Sequence, residues 1–372
     1  MSRQDWAAGT LPLRPELRDA EPYGAPQLDL PVQLNTNENP YAPSEAVVAD
    51  IAAAAGQAAR TLNRYPDRDA VALRADLAAY LTADGGVPLR GEQVWAANGS
   101  NEVMLQLLQA FGGPGRTAVS FAPTYSMYPE YARDTHTTWV LGRRAADFAV
   151  DLPHALDVLA EHRPSVVLLA SPNNPTGTAL PIEHIAALIE AAPGVVVIDE
   201  AYGEFRRDGV PSALSLLPHS PRLVVTRTMS KAFALAGGRV GYLAASTDIV
   251  DAVRVVRLPY HLSAVTQAVA RAALAHTAEL LGAVGELRAE RDRTVEWLRG
   301  QGLQAADSDA NFVLFGTFDD RHAVWQALVD RGVLIRETGP AGWLRVSIGT
   351  AAEMATFRTA LTDIVQGDRR DG

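Results

Sequence analysis

The chain has 372 residues, 48% of them hydrophobic and 20% charged, with a formal net charge of −10. That length can bury one large core or two domains of ordinary size, and the composition is globular, not disordered. The acidic balance disfavours a nucleic-acid or anionic-membrane partner, no run approaches a membrane span, and with no cysteine disulfides, thiolate chemistry and cysteine-ligated metals are excluded.

In chain order, the N-terminal "MSRQDWAAGTLPLRPELRD" lacks the charged-then-apolar layout of a signal peptide. A soluble cytoplasmic enzyme without a bound metal is therefore expected. Residues 1–40, rich in Pro and Asn, read as an extended arm with little core of its own. From about residue 41 to 262, short apolar runs alternate with helical stretches: "VWAANGS" into "NEVMLQLLQAF", then "TAVSFAPTY", "SVVLLASPNNPTG" before "IEHIAALIEAA", "GVVVIDEAY", "RLVVTRTMSKAF" and "RVGYLAA". Continuous apolar runs closed by polar residues suit strands buried on both faces, and their alternation with helices implies βαβ units. The fold class is therefore α/β: a large domain with a mostly parallel central sheet flanked by helices. From Ser263 to residue 372 the texture is that of a smaller α+β domain. It is led by a long connecting helical pattern with a break expected near Gly282 or Gly285.

Ligands of such sheets gather at the carboxyl ends of the strands, so the residues closing each run matter most. Lys231, just after "RLVVTRTMS", is the only lysine in the chain. Every other basic position that Lys or Arg could fill is Arg, yet only an amine can lose its proton and attack a carbonyl. Asp199 closes "VVVID", where it can cap a helix or, poorly solvated, pair with a cationic heteroaromatic nitrogen. Asn174 lies in "SPNNPTG", which closes the preceding apolar run and is also ordinary turn chemistry, and Tyr202 lies three residues past Asp199. "NGSNE" joins a strand to a helix start, whose exposed amides suit a phosphate as well as a cap. Arg239 can add a bidentate contact to that phosphate. No G-x-G-x-x-G follows a strand, which argues against a dinucleotide. A phosphate cradle, an amine nucleophile, a buried carboxylate and a phenol–amide pair together match pyridoxal 5'-phosphate.

With these residues in "LNTNENPY", "NRYPD", "ANGSNEV", "PTYSMY", "SPNNPTG", "VIDEAY", "TMSKAFALAGGRVGY", "RLPYHLSAVTQA", "ANFV" and "GWLRVSIGT", the sequence resembles the fold-type-I aminotransferases. Among them it is most similar to the histidinol-phosphate aminotransferases of the actinobacterial kind. The resemblance runs from about Pro22 to Val365. It implies that Lys231 is the Schiff-base lysine, that Asp199 pairs with the pyridine nitrogen, and that Asn174 and Tyr202 bond the 3′-oxygen. Tyr125 would stack on the ring, and Ser100, Asn101, Thr228, Ser230 and Arg239 would surround the phosphate. Tyr65 would reach that phosphate from a neighbouring subunit, which implies a homodimer with shared sites. Arg345, with Arg336 nearby, would fix the substrate anion, and Tyr23 and Asn37 would lie on the segment covering substrate. The implied reaction is transamination between L-histidinol phosphate and 2-oxoglutarate, with small molecules as amino donor and keto acceptor. One arginine pocket would accept a phosphate ester and a carboxylate in turn.

Two positions depart from that pattern. Gly203 stands where an isoleucine is common and Gly238 where a larger apolar residue is usual. Two glycines beside the cofactor are expected to loosen the site or make space. An aromatic amino-acid aminotransferase, a specialised paralogue acting on another amine, a threonine-phosphate decarboxylase-like enzyme and a binding protein on the same scaffold stay open as alternatives. Arg336 can equally form a surface or interdomain ion pair.

Overall fold

The computed structural model describes residues 12–18 and 20–371; the first eleven residues of the expected N-terminal arm lie outside the described residues. Twelve strands run in chain order through them. They are β1 (Val32–Gln33), β2 (Val94–Ala97), β3 (Thr117–Ala122), β4 (Thr138–Arg143), β5 (Val166–Ala170), β6 (Val195–Asp199), β7 (Leu223–Thr228), β8 (Gly241–Ala245), β9 (Gln304–Ala305), β10 (Phe312–Gly316), β11 (Val333–Leu334) and β12 (Leu344–Ser347).

Seven of them form one sheet in the order β2-β8-β7-β6-β5-β3-β4. Every pairing from β7 through β4 is parallel, and only β8 runs against both its neighbours. This is the mostly parallel sheet that the alternation of runs implies. Its strands read as unbroken apolar runs because successive residues face different cores. Val167, Leu169, Val196 and Ile198 pack into one cluster, while Val166, Leu168, Ala170, Val195 and Val197 pack into another on the opposite face.

Helices cover both faces. Seven precede the change of texture: α1 (Glu45–Ala59), α2 (Val71–Gly85), α3 (Ser100–Phe111), α4 (Tyr128–Asp134), α5 (Leu152–His162), α6 (Ile182–Ala191) and α7 (Thr247–Val256). The stretch read as one long connecting helix is three: α8 (Ala264–Ala275), α9 (Thr277–Leu280) and α10 (Val284–Gly300). It breaks first at His276, ahead of either glycine, where the backbone leaves the helical region. The break divides two cores. Ala270, Ala273 and Leu280 bury into the large-sheet core, whereas Val284, Leu287, Val295 and Leu298 bury into the C-terminal one. Helices α8 and α9 thus pack with the large layer, although they lie past residue 262.

The C-terminal layer is completed by α11 (Arg321–Val329), α12 (Ala351–Asp371) and the antiparallel order β12-β10-β9. The N-terminal arm joins this layer. Strand β1 pairs in parallel with β11, and Ser347 of β12 donates its N–H to the Leu34 carbonyl. Val32 and Leu34 are buried in the same core as Phe312, Val333 and Phe357.

Candidate active site

The carboxyl ends of β5, β6 and β7, the start of α3, the N-terminal arm and the β11–β12 segment meet around one cavity of about 240 Å³. Of the fifteen residues singled out in the sequence, fourteen line it: Tyr23, Asn37, Ser100, Asn101, Tyr125, Asn174, Asp199, Tyr202, Thr228, Ser230, Lys231, Arg239, Arg336 and Arg345. Tyr65 does not. It is 78% exposed and stacks on Tyr260 at 4.4 Å.

Asp199 is the last residue of β6 and is buried. No helix starts at it, so it is not a helix cap; the short 3-10 turn that follows begins after Tyr202, with no side-chain cap. Its Oδ1 accepts from the Thr226 hydroxyl at 3.1 Å and the Ala201 N–H at 3.2 Å, and its Oδ2 accepts from the Tyr128 hydroxyl at 3.1 Å. Burial pushes the carboxyl up to about 6, and those donors restrain the rise.

Lys231 follows β7, and its ammonium donates to the Thr36 carbonyl at 2.8 Å. Burial, reinforced by the charges of Arg345 and Arg239, holds the amine down to about 8. A lysine in that setting is neutral often enough near neutral pH to act as a nucleophile.

At one end of the cavity lies a set of donors fit for a phosphate. Gly99 caps α3 with φ +84° and no side-chain cap, leaving Ser100 and Asn101 at the helix N-terminus, where the dipole favours an anion. A Cβ on Gly99 would come within 2.6 Å of the Arg239 guanidinium, so the glycine gives that arginine its place. Arg239 in turn donates to the Ser230 hydroxyl at 3.3 Å, and Thr228 donates to the same oxygen at 3.0 Å. The Glu102 carboxylate accepts from the Asn98 N–H at 2.6 Å, so capping and a free helix start coexist in "NGSNE".

The opposite wall is built from residues far apart in the chain. Tyr202 Oη accepts from Asn37 at 3.0 Å and Asn174 at 3.5 Å. Arg345 donates to Asn174 Oδ1 at 2.6 Å and the Asn35 carbonyl at 2.7 Å, with its guanidinium 5.1 Å from the Phe312 ring centre. Arg336 sits beside it through paired backbone hydrogen bonds and donates to the Gly24 carbonyl at 3.1 Å. Arg345 Nε and one terminal nitrogen of Arg336 are buried without a partner. Two neighbouring guanidiniums with unspent donors call for an anion. Tyr23, 48% exposed, closes the mouth by accepting from the Ser126 hydroxyl at 3.2 Å.

Neither unusual glycine lines the cavity. A Cβ on Gly203 would meet the Arg227 guanidinium at 2.8 Å, and one on Gly238 the Leu235 side chain at 2.7 Å. The expectation that they loosen the site or make space is thereby corrected: Gly203 makes room for an arginine behind the site. That arginine, 1% exposed, is bound by Glu200, Glu204 and Asp84. Burial would raise Glu200, but Arg227 and Arg206 hold it below the usual carboxylate range.

Sequence reasoning overlooked Tyr128, Thr226, Asn35 and Thr36. Thr226 stands two residues before Thr228, on the same strand face, and Tyr128 stands three residues past Tyr125 in "PTYSMY"; both spacings were available signals. Asn35 and Thr36 act through backbone carbonyls, which leave no trace in residue type.

Comparison with known proteins agrees with this architecture. The family model for aminotransferase class I and II matches residues 31–361. The chain is 63% identical over 366 residues to histidinol-phosphate aminotransferase 3 of Burkholderia lata, covering 98% of this chain and 99% of that one. It is 62% identical to the histidinol-phosphate aminotransferase of Thermobifida fusca, covering 94% and 95%. Among solved structures, the histidinol-phosphate aminotransferase of Sinorhizobium meliloti in complex with pyridoxal-5'-phosphate superposes with a TM-score of 0.79 at 26% identity, covering 91% of this chain and 92% of that one. The chain belongs to the aminotransferase class I and II family.

Proposed function

We propose that this chain is a pyridoxal-phosphate-dependent aminotransferase that exchanges an amino group between L-histidinol phosphate and 2-oxoglutarate. The observation that carries this reading is the union, in one cavity, of the sole lysine, a buried carboxylate and two arginines with unsatisfied nitrogens. When bound, the cofactor supplies an aldehyde and an electron-withdrawing ring that lets an amino group pass between carbon skeletons. The residues present fit it. Ser100, Asn101, Thr228, Ser230 and Arg239 would hold its phosphate, Asn174 and Tyr202 its 3′-oxygen, and Tyr125 its ring face.

Lys231 would anchor the aldehyde of the cofactor covalently, and its amine is placed to hold and return the proton at the substrate Cα. Asp199, ionised above about pH 6, would hold a proton on the ring nitrogen through a charge pair in a low-dielectric site. Arg345 binds the anion of either substrate, with Arg336 adding a contact for the dianionic phosphate ester. Tyr23 and Asn37 cover the bound substrate. Because Gly203 and Gly238 face away from the cavity, the structural ground for a repurposed pocket is gone.

The working form in this reading is a cytoplasmic homodimer. Tyr65, which is exposed and does not line its own cavity, would reach the phosphate of a partner, and exposed Leu62, Val255 and Leu258 offer apolar surface to cover. Mixing inactive Lys231→Ala with a severely impaired Tyr65 variant should restore activity in heterodimers. No recovery after confirmed subunit exchange overturns the shared site.

The substrate test is a panel with glutamate as donor and imidazole-acetol phosphate or aromatic keto acids as acceptors, together with the reverse reactions. Charge-assisted bonds are worth roughly 1.5–3 kcal/mol each, so histidinol phosphate should exceed phenylalanine in kcat/KM by at least about tenfold. Equal use of phenylalanine would leave an aminotransferase of a different specificity.

A further inference from the structure

We propose that Tyr128 is a positioning residue for Asp199: its phenol fixes one carboxylate oxygen and its ring sets the wall on which the cofactor would lie. The inference rests on the cofactor reading above.

Tyr128 opens α4 and has no exposed surface. Its hydroxyl lies 3.1 Å from Asp199 Oδ2, while the other carboxylate oxygen is served by Thr226 and the Ala201 N–H. An ionised carboxylate can only accept, so the phenol donates. It always can, because burial and the adjoining Asp199 charge push the phenol far above its ordinary value. The Tyr128 ring also meets Tyr125 edge to face, at 5.5 Å and 89°, a favoured aromatic geometry. One residue thus holds both the carboxylate and the neighbouring ring.

The chemistry gives this contact a direction. Burial favours the neutral form of Asp199, and a donor to Oδ2 favours the charged form. Among the ionisable groups around it, Glu200, next on the chain, opposes the charge of the carboxylate, whereas Tyr125, Tyr131 and Tyr202, each raised above its ordinary value, face it as neutral phenols. Without the phenol, the Asp199 proton is released at higher pH, and a protonated carboxyl lacks the charge that would pair with a pyridinium.

The test is a pair of cofactor titrations followed by the visible absorption band, on wild-type protein and Tyr128→Phe, at pH 6 and pH 8. Wild-type protein that binds no pyridoxal phosphate would defeat the proposed function itself. Given wild-type binding, the Phe variant should bind about 10- to 150-fold more weakly near pH 6, the range of one hydrogen bond to a charged group. The deficit should shrink toward pH 8, where Asp199 is ionised in both proteins. Tyr128→His, whose ring N–H can donate, should recover part of the loss. A folded Phe variant with affinity within about twofold of wild type at both pH values overturns the proposal, as does a deficit of equal size at both. Infrared spectra of wild-type protein carrying ring-labelled tyrosine make the test independent of the variants' folding. A tyrosine C–O band should shift as Asp199 ionises and be silent in Asp199→Asn; no such band overturns the proposal.

Discussion

The floor and the roof of the cavity are built on different principles. The floor is a row of strand ends: Asp199 closes β6, Thr228 closes β7 and Lys231 follows it, so their spacing is set by a parallel ladder with both faces buried. The roof gathers Tyr23, Asn37, Arg336 and Arg345 from opposite ends of the chain and joins them through backbone carbonyls and asparagine amides. A ladder fixes position before any ligand arrives, whereas the roof keeps guanidinium nitrogens unspent. The floor is thus suited to a resident cofactor and the roof to anions that come and go.

The sharpest way to break that division is to remove its centre. Lys231→Arg keeps the charge and discards the nucleophile, so transamination should be abolished. Borohydride should fix the cofactor to the Lys231 peptide of wild-type protein and nowhere on the variant; mass spectrometry decides. Asp199→Asn should lose at least about 100-fold in kcat, the scale of one strong electrostatic contact, with near-wild-type turnover demoting the carboxylate to a structural role.

The same variant sharpens the picture through stability. A folded carboxyl near 6, against an ordinary 3.8, means the unfolded chain holds fewer protons between those values, so stability falls as pH rises through the window. The burial of that charge costs on the order of 3 kcal/mol at neutral pH. Cofactor-free Asp199→Asn should therefore be more stable than wild type above pH 6 by up to about that amount, with the gap closing near pH 4. Denaturant unfolding at the two pH values reads this directly.

On the roof, Arg345→Ala should impair histidinol phosphate and glutamate alike, while Arg336→Ala should reduce kcat/KM for the phosphate ester about tenfold and leave phenylalanine nearly unchanged. Loss of cofactor affinity in either variant would erase the floor–roof division. The mildest effect is a pH midpoint. The rate at which cofactor-free enzyme captures pyridoxal phosphate should rise through about pH 8, where Lys231 deprotonates, and not through the ordinary lysine range. In the window above 8 the unfolded chain holds more protons at this group, so the cofactor-free protein should also gain stability there.

The floor was largely legible in the sequence, because buried parallel strands announce themselves as apolar runs and the residues that close them carry the chemistry. Asp199, Asn174 and Lys231 were found that way. What was not legible depended on contacts across the chain. The roles of Asn35 and Thr36 are played by carbonyls that any residue would provide, and the pairing of Arg336 with Arg345 is a backbone bridge. Strand β4 escaped notice because it lies at the sheet edge, where every one of its residues is exposed or half-buried and no long apolar run appears. The two glycines misled for the same reason: residue type showed missing volume without showing which side chain occupies it.

Strand β1 pairs with β11, and Leu34 is bonded to both Leu334 and Ser347. The arm that carries Asn37 is therefore stitched to the layer that carries Arg336 and Arg345, while it meets the floor through side-chain contacts such as the Lys231 ammonium on the Thr36 carbonyl. Mechanically, cover and anion clamp are one part. A rotation of the C-terminal layer has to carry both together, so admission of a substrate and assembly of its binding groups share a single coordinate.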